Sequence, residues 1–139
     1  MATFNKFQPF VEDLAEGVHN LGTGVMTAFL TTNASIPLVT NRVLADLTTI
    51  AYTNLSSRVI TTTSSAQTSG TYKLVLGDLV LTASGAVATF RHAGIYNDTP
   101  TSPADPLVGW WDYGSDVTLA DGETFTYNFD ATTGVLQLV

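Results

Sequence analysis

The sequence predicts a mostly β protein: an antiparallel β-sandwich or jelly-roll-like body with one N-terminal α-helix. Three observations predict it. Short apolar or β-branched runs recur with turn signals at steps of about 8–12 residues, the spacing of sandwiches and barrels. Threonine and serine crowd those runs, as on the solvent side of strands. A helical period occurs once, at the start of the chain. The 139 residues suit one domain over 1–139, because two halves would each be too small for a good core.

Phe4, Phe7, Val11, Leu14, Val18 and Leu21 recur at steps of three and four, forming one apolar stripe on a helix predicted over residues 5–21. Glu12, Asp13 and Glu16 lie off the stripe, toward solvent. Pro9 lacks an N–H and belongs in the first turn, and Gly22 and Gly24 supply a stop. The β body spans 24–139. Val25–Thr31 reads as a strand and 32–41 as a loop, while Leu44–Ile50 fits either a helical turn or a short strand. Residues 58–68 are β-branched and strand-like, and apolar runs Thr71–Leu76 and Leu79–Thr82 flank Gly77-Asp78. Ala86–Tyr96 alternates, Asn97–Pro106 is a proline-rich surface loop, and Leu107–Tyr113 is another strand. Thr124–Phe129 alternates so that Phe125, Tyr127 and Phe129 share a face, and Val135–Val139 closes the chain as a strand.

Hydrophobic residues make up 45% and charged residues 12%, with mean hydropathy +0.21. That composition excludes intrinsic disorder. No cysteine is present, which excludes disulfides, thiolate metal sites and a thiol nucleophile. The net charge of −7 and only five Lys or Arg argue against nucleic-acid binding, which draws on cations at phosphates. The N-terminus lacks a basic segment followed by an apolar one, so no secretory signal is expected. No apolar run reaches the ~18 residues of a membrane span, so no membrane partner is expected. The Asn-x-Ser/Thr triplets at Asn33, Asn54 and Asn97 then read as chance.

The search for chemistry is mostly negative. There is no P-loop and no nucleophile elbow, and Gly22-Thr23-Gly24 follows a helix rather than a strand. His19 and His92 each lack a second ligand or carboxylate at site-forming spacing. His19 reads as a polar residue whose cation suits a helix end, and His92 as a strand residue. No catalytic residue, cofactor or metal is expected, and the chain reads as no enzyme. Seven acidic residues follow His92 without any Lys or Arg: Asp98, Asp105, Asp112, Asp116, Asp121, Glu123 and Asp130. Calcium would fit them loosely, but no calcium-loop pattern occurs, and turn and solvated positions weigh more. An acidic face would also steer the protein toward a basic partner surface.

The aromatic cluster Trp110-Trp111-Asp112-Tyr113 is the most conspicuous feature. Adjacent tryptophans on a strand point to opposite faces, so one fills the core. The other meets the helix, a protein partner or a sugar, and the residues alone leave these three open.

Three stretches together resemble a family of small virion proteins of tailed bacteriophages. They are Asn5-Lys6-Phe7 through Val11-Glu12-Asp13-Leu14-Ala15-Glu16-Gly17-Val18-His19-Asn20-Leu21-Gly22, then Gly70-Thr71-Tyr72-Lys73-Leu74-Val75-Leu76-Gly77-Asp78, then Gly109-Trp110-Trp111-Asp112-Tyr113-Gly114-Ser115 with Thr118–Phe125. The chain departs from the family's glycine-rich middle in having Ala51-Tyr52-Thr53-Asn54-Leu55-Ser56-Ser57 there. The resemblance is to head decoration, or cement, proteins. It implies a structural protein that binds the outside of the capsid and stabilises it, with the major capsid protein as partner. Its place would be the virion surface, after assembly in the host cytoplasm. A homodimer or homotrimer is expected, with Phe4, Phe7, Phe10, Trp110, Trp111 and Tyr113 as candidate contacts. The alternative is a tail or baseplate component that binds host-surface glycans. A β-sandwich hydrolase using Asp112 and Asp116 ranks last, for want of a paired-carboxylate motif.

Overall fold

The computed structural model describes residues 2–139. It contains β1 (Asn5–Lys6), α1 (Gln8–Ala15), β2 (Met26–Thr31), a 3-10 turn (Leu44–Asp46), β3 (Val59–Ile60), β4 (Thr62–Thr68), β5 (Thr71–Leu76), β6 (Leu79–Thr82), β7 (Phe90–Asn97), β8 (Leu107–Val117), β9 (Thr124–Tyr127) and β10 (Leu136–Leu138). The strands pair antiparallel in a five-stranded sheet of order β1-β8-β7-β2-β3, a three-stranded sheet β10-β5-β4 and a two-stranded ribbon β6-β9. The protein is therefore mostly β with one helix, as the sequence predicts. Sheets of five, three and two antiparallel strands are compatible with a sandwich-like arrangement.

The large sheet is covered on both faces, since all six residues of β2 are buried. Register places Phe29, Gly94 and Trp110 in one row and Leu30, Ala93 and Trp111 in the next. Adjacent rows face opposite ways. On the first face the Phe29 ring lies over Gly94, where a Cβ would stand 2.1 Å from its Cζ. Phe7 stacks on Trp110 with ring centroids 4.6 Å apart. On the second face β9 packs across the sheet, and the Tyr127 hydroxyl donates to the carbonyls of Phe29 at 3.0 Å and Gly94 at 3.2 Å. The β6–β9 ribbon turns Leu79 and Leu81 inward while Val80 and Thr82 face solvent.

The helix is shorter than the predicted 5–21. Asn5 and Lys6 pair with Trp110 and Gly109 as an edge strand, and α1 begins at Gln8 with Pro9 in its first turn. It ends at Ala15 because Gly17, at φ +83°, closes a Schellman turn. The Gly17 N–H reaches the Leu14 carbonyl at 3.3 Å, and the Val18 N–H reaches that of Asp13 at 2.8 Å. Starting the helix later changes its inner face. Phe10 and Asp13 are buried, whereas Val11, expected on the buried stripe, is 51% exposed. Asp13, expected in solvent, is paired with the Arg42 guanidinium. That pairing makes a buried carboxylate tolerable.

β3 covers only Met26 and Thr27 of β2. The remaining edge is closed by other means. The Ala28 N–H reaches the Arg58 carbonyl at 2.9 Å, and the Arg58 guanidinium donates back to the Ala28 carbonyl. The Leu30 N–H donates to the Tyr52 hydroxyl at 3.2 Å, and the Ile50 N–H to the Leu30 carbonyl at 3.0 Å. Arg58 lies 3.7 Å above the centroid of the Tyr52 ring. An edge so plugged offers no template to a stray strand.

Two glycine substitutions test this account by denaturant unfolding. Gly94→Ala overpacks the Phe29 contact and costs about 1–3 kcal/mol. Gly17→Ala meets nothing within 4 Å, so its loss of about 1–2 kcal/mol comes from the left-handed backbone alone. Gly17→Asn should then lose less than Gly17→Ala, because Asn tolerates that conformation.

Candidate functional site

An aromatic groove of about 440 Å³ opens between β8 and β9. Its lining includes Trp111, Tyr113, Phe125, Tyr127, Phe129 and Asp130. The alternation of Thr124–Phe129 turns Phe125, Tyr127 and Phe129 toward β8, and Trp111 meets them there. Trp111 stands edge-on to Tyr127 with centroids 6.0 Å apart, and Phe129 lies 6.0 Å from Trp111. Phe125 is held at 5.0 Å by Phe90 beneath it and touches Tyr113 at 5.3 Å. Phe4 covers the other side of Trp111 at 5.0 Å, over Gly109, where a Cβ would stand 2.3 Å from the ring. Tyr127 is buried, and burial pushes its phenol well above the usual tyrosine range. It is a structural pin that stays protonated.

The rim is built by a large bulge. The β7–β8 register jumps from His92↔Asp112 to Phe90↔Val117. Tyr113–Asp116 therefore stand out with only Arg91 opposite, and Gly114 at φ +92° makes the turn. Tyr113, 55% exposed, rides on this bulge. Asp112 anchors its base. It accepts Arg91 Nε at 2.9 Å, Arg91 Nη2 at 3.3 Å and the Gly114 N–H at 2.8 Å. The Arg91 hydrogen bond, more than the Gly114 one, holds the Asp112 carboxyl below the usual range. Asp130 is likewise turned inward, accepting from Thr133 Oγ1 and the N–H groups of Thr132 and Thr133. These bonds, the Thr133 hydroxyl first, lower its pKa. Both carboxylates hold backbone turns, the role expected of acidic residues near turns. In the 97–106 loop, Asp105 is raised, first by burial and then by its neighbour Asp98. Among the described residues no group of three or more His, Asp or Glu is arranged to hold a metal.

The six candidate contact residues divide between the two faces. Phe4 and Trp111 line or back the groove, and Tyr113 stands at its rim. Phe7, Phe10 and Trp110 are buried in the chain's own core and present no surface, which corrects their place among the contacts. Phe7 packs on Trp110, whose row faces away from that of Trp111. Phe125 and Phe129 were not among the candidates, although their alternation with Tyr127 carried the signal. Exposed apolar side chains also occur at Ile36 (58%), Leu38 (60%) and Val39 (44%). They lie inside a stretch whose Asn, Ser and Pro read simply as loop.

His19 is also corrected. It lies beyond the helix end and is buried, with its ring 4.9 Å from Phe10 in an edge contact. The Asn97 side-chain oxygen accepts the Thr99 N–H at 3.2 Å, leaving the amide to donate to His19 Nδ1 at 3.3 Å. Burial lowers the His19 pKa, and Asp13 pulls weakly the other way. The ring is thus held neutral rather than serving as a cation for the helix. It lines a shallow cavity with Leu21, Ser65 and Tyr72, against the β4–β5 hairpin. His92 is a buried strand residue, as expected, with Nδ1 donating to the Thr32 carbonyl at 3.1 Å.

Compared with known proteins, the chain matches no family model, no curated sequence and no solved structure.

The His19 environment predicts a pH dependence. Unfolded, the ring takes up a proton as pH falls through 6.5, whereas the folded ring does so only at lower pH. Stability is therefore fully present above about pH 7 and declines as pH drops below about 6.5 through the folded pKa. Unfolding free energies measured at intervals between pH 7.5 and 5 should show this decline, and His19→Gln should flatten it.

Proposed function

We propose that this protein is a phage virion component that binds the outside of the capsid and stabilises it, as head decoration proteins do. The groove is its contact for the major capsid protein. The observation that carries this reading is the groove itself: five aromatic rings around an opening whose one carboxylate, Asp130, is spent on its own turn. Such a surface offers burial rather than acid–base chemistry. Aromatic anchors in a pocket are the usual energetic centre of a protein interface. The sequence resemblance in Asn5–Gly22, Gly70–Asp78 and Gly109–Phe125 points to the same class of protein. A decorating protein acts by mass action: whatever binds only the assembled shell stabilises that shell. A body with only 12% charged residues and few lysines also loses little side-chain entropy on docking.

The glycan-binding alternative rests on a specific observation. Asn128 lines the groove along with the exposed ring of Tyr113, and stacking rings with an amide nearby suit sugars.

The test adds purified protein to expanded capsids that lack it and measures bound copies and shell melting. Saturable binding in regular copy number with a raised melting temperature is expected. Tyr113→Ala or Trp111→Ala should weaken binding by about 30-fold or more, the cost of losing a 2 kcal/mol anchor. No association with capsids, together with glycan-array binding lost in Tyr113→Ala, would replace this reading with the alternative.

A further inference from the structure

β4 is an edge strand whose outer side is open. It ends the order β10-β5-β4, and none of Thr62–Thr68 makes a backbone hydrogen bond away from β5. Most of its side chains are exposed on both faces. Long open edges invite another strand, and proteins usually blunt them with charge or proline. β4 reads Thr-Thr-Ser-Ser-Ala-Gln-Thr and carries neither. Its one irregularity is a register shift near Thr63, at the end next to β3.

Charge points to what pairs there. The chain carries twelve acidic residues and a net charge of −7, so two copies repel over most of their surfaces. None of those acids falls between Asp46 and Asp78, and the only charges in that stretch are Arg58 and Lys73. Arg58 is engaged at the β2 edge, and Lys73 donates to the Thr132 carbonyl at 3.1 Å. β4 and its hairpin partner thus bring no carboxylate of their own to a second copy of an acidic protein.

We propose that β4 pairs antiparallel with β4 of a second copy about a two-fold axis at Ser65, joining two three-stranded sheets into one of six. The register sets Ser64 against Ala66 of the other copy, with Ser65 against itself, and the shift near Thr63 ends the regular pairing. Each of these pairs is small, uncharged and able to approach closely. The contact is isologous and closes after two copies. It uses neither Phe4, Trp111 nor Tyr113, so the groove stays free in the dimer. The proposal rests on edge and charge and stands apart from the capsid reading: a monomer that binds capsids removes this inference and leaves that reading in place.

Sedimentation velocity from about 1 to 200 μM tests it, with thermal unfolding as the folding control. A dimer that dissociates on dilution is expected. Salt should tighten it, because screening relieves the repulsion between two acidic bodies. Ala66→Glu and, separately, Ser64→Glu bring carboxylates together across the axis and should weaken the dimer by at least about tenfold. In Ala66→Glu the new carboxylate sits across from Lys73 of β5, so the monomer keeps its fold. A monomer throughout the range, a dimer that salt weakens, or a dimer untouched by both folded variants would overturn the proposal.

Discussion

The Tyr127 hydroxyl reaches across the core and donates to two carbonyls on neighbouring strands, Phe29 on β2 and Gly94 on β7. Those carbonyls belong to the middle of a sheet buried on both faces, where an unmet polar group is expensive. The contact therefore fixes β9 over one place on the sheet. On the opposite face the missing side chain of Gly94 leaves room for the Phe29 ring. Tyr127 thus sets how β9 closes on the sheet. The groove follows from that closure, since Phe125 and Phe129 flank Tyr127 at alternate positions and are set against Tyr113 and Trp111.

Much of this was legible in the sequence. Apolar and β-branched runs between turn signals located most strands, and alternation marked Thr124–Phe129, where a half-buried strand repeats every second residue. The opposition of Trp110 and Trp111 followed from the same period. The helix is shorter than its apolar spacing predicts. Steps of three and four continued through Val18 and Leu21, but Gly17 had already turned the chain, and Leu21 is buried from outside the helix. A period records spacing, whereas a helix end is decided by one residue's backbone. The burial of Asp13 could not be seen locally, because its partner Arg42 is distant in sequence.

The groove was legible only in part. Its rings were visible as separate clusters, Trp111 with Tyr113 and Phe125 with Tyr127 and Phe129. Their meeting depends on the β6–β9 ribbon lying across β7 and β8, which no local pattern specifies. The Tyr113–Asp116 bulge had no signal beyond Gly114, and the strand was expected to end at Tyr113. The exposed edge of β4 was visible as a run of polar strand residues, yet which strands would flank it was set by topology.

Between Ile60 and Thr62 the chain leaves the edge of the five-stranded sheet and becomes the edge of the three-stranded one. Thr61 is the crossing point, and its carbonyl accepts the Gly77 N–H at 2.8 Å where β5 gives way to β6. Tension applied along this segment is therefore borne by two ladders together, β2–β3 and β4–β5, loaded lengthwise. Bonds strained in that direction must fail as a group, whereas a hairpin peeled from its tip loses them singly. A crossing of this kind lets the thin outer hairpin take hold of something while handing the strain to the core.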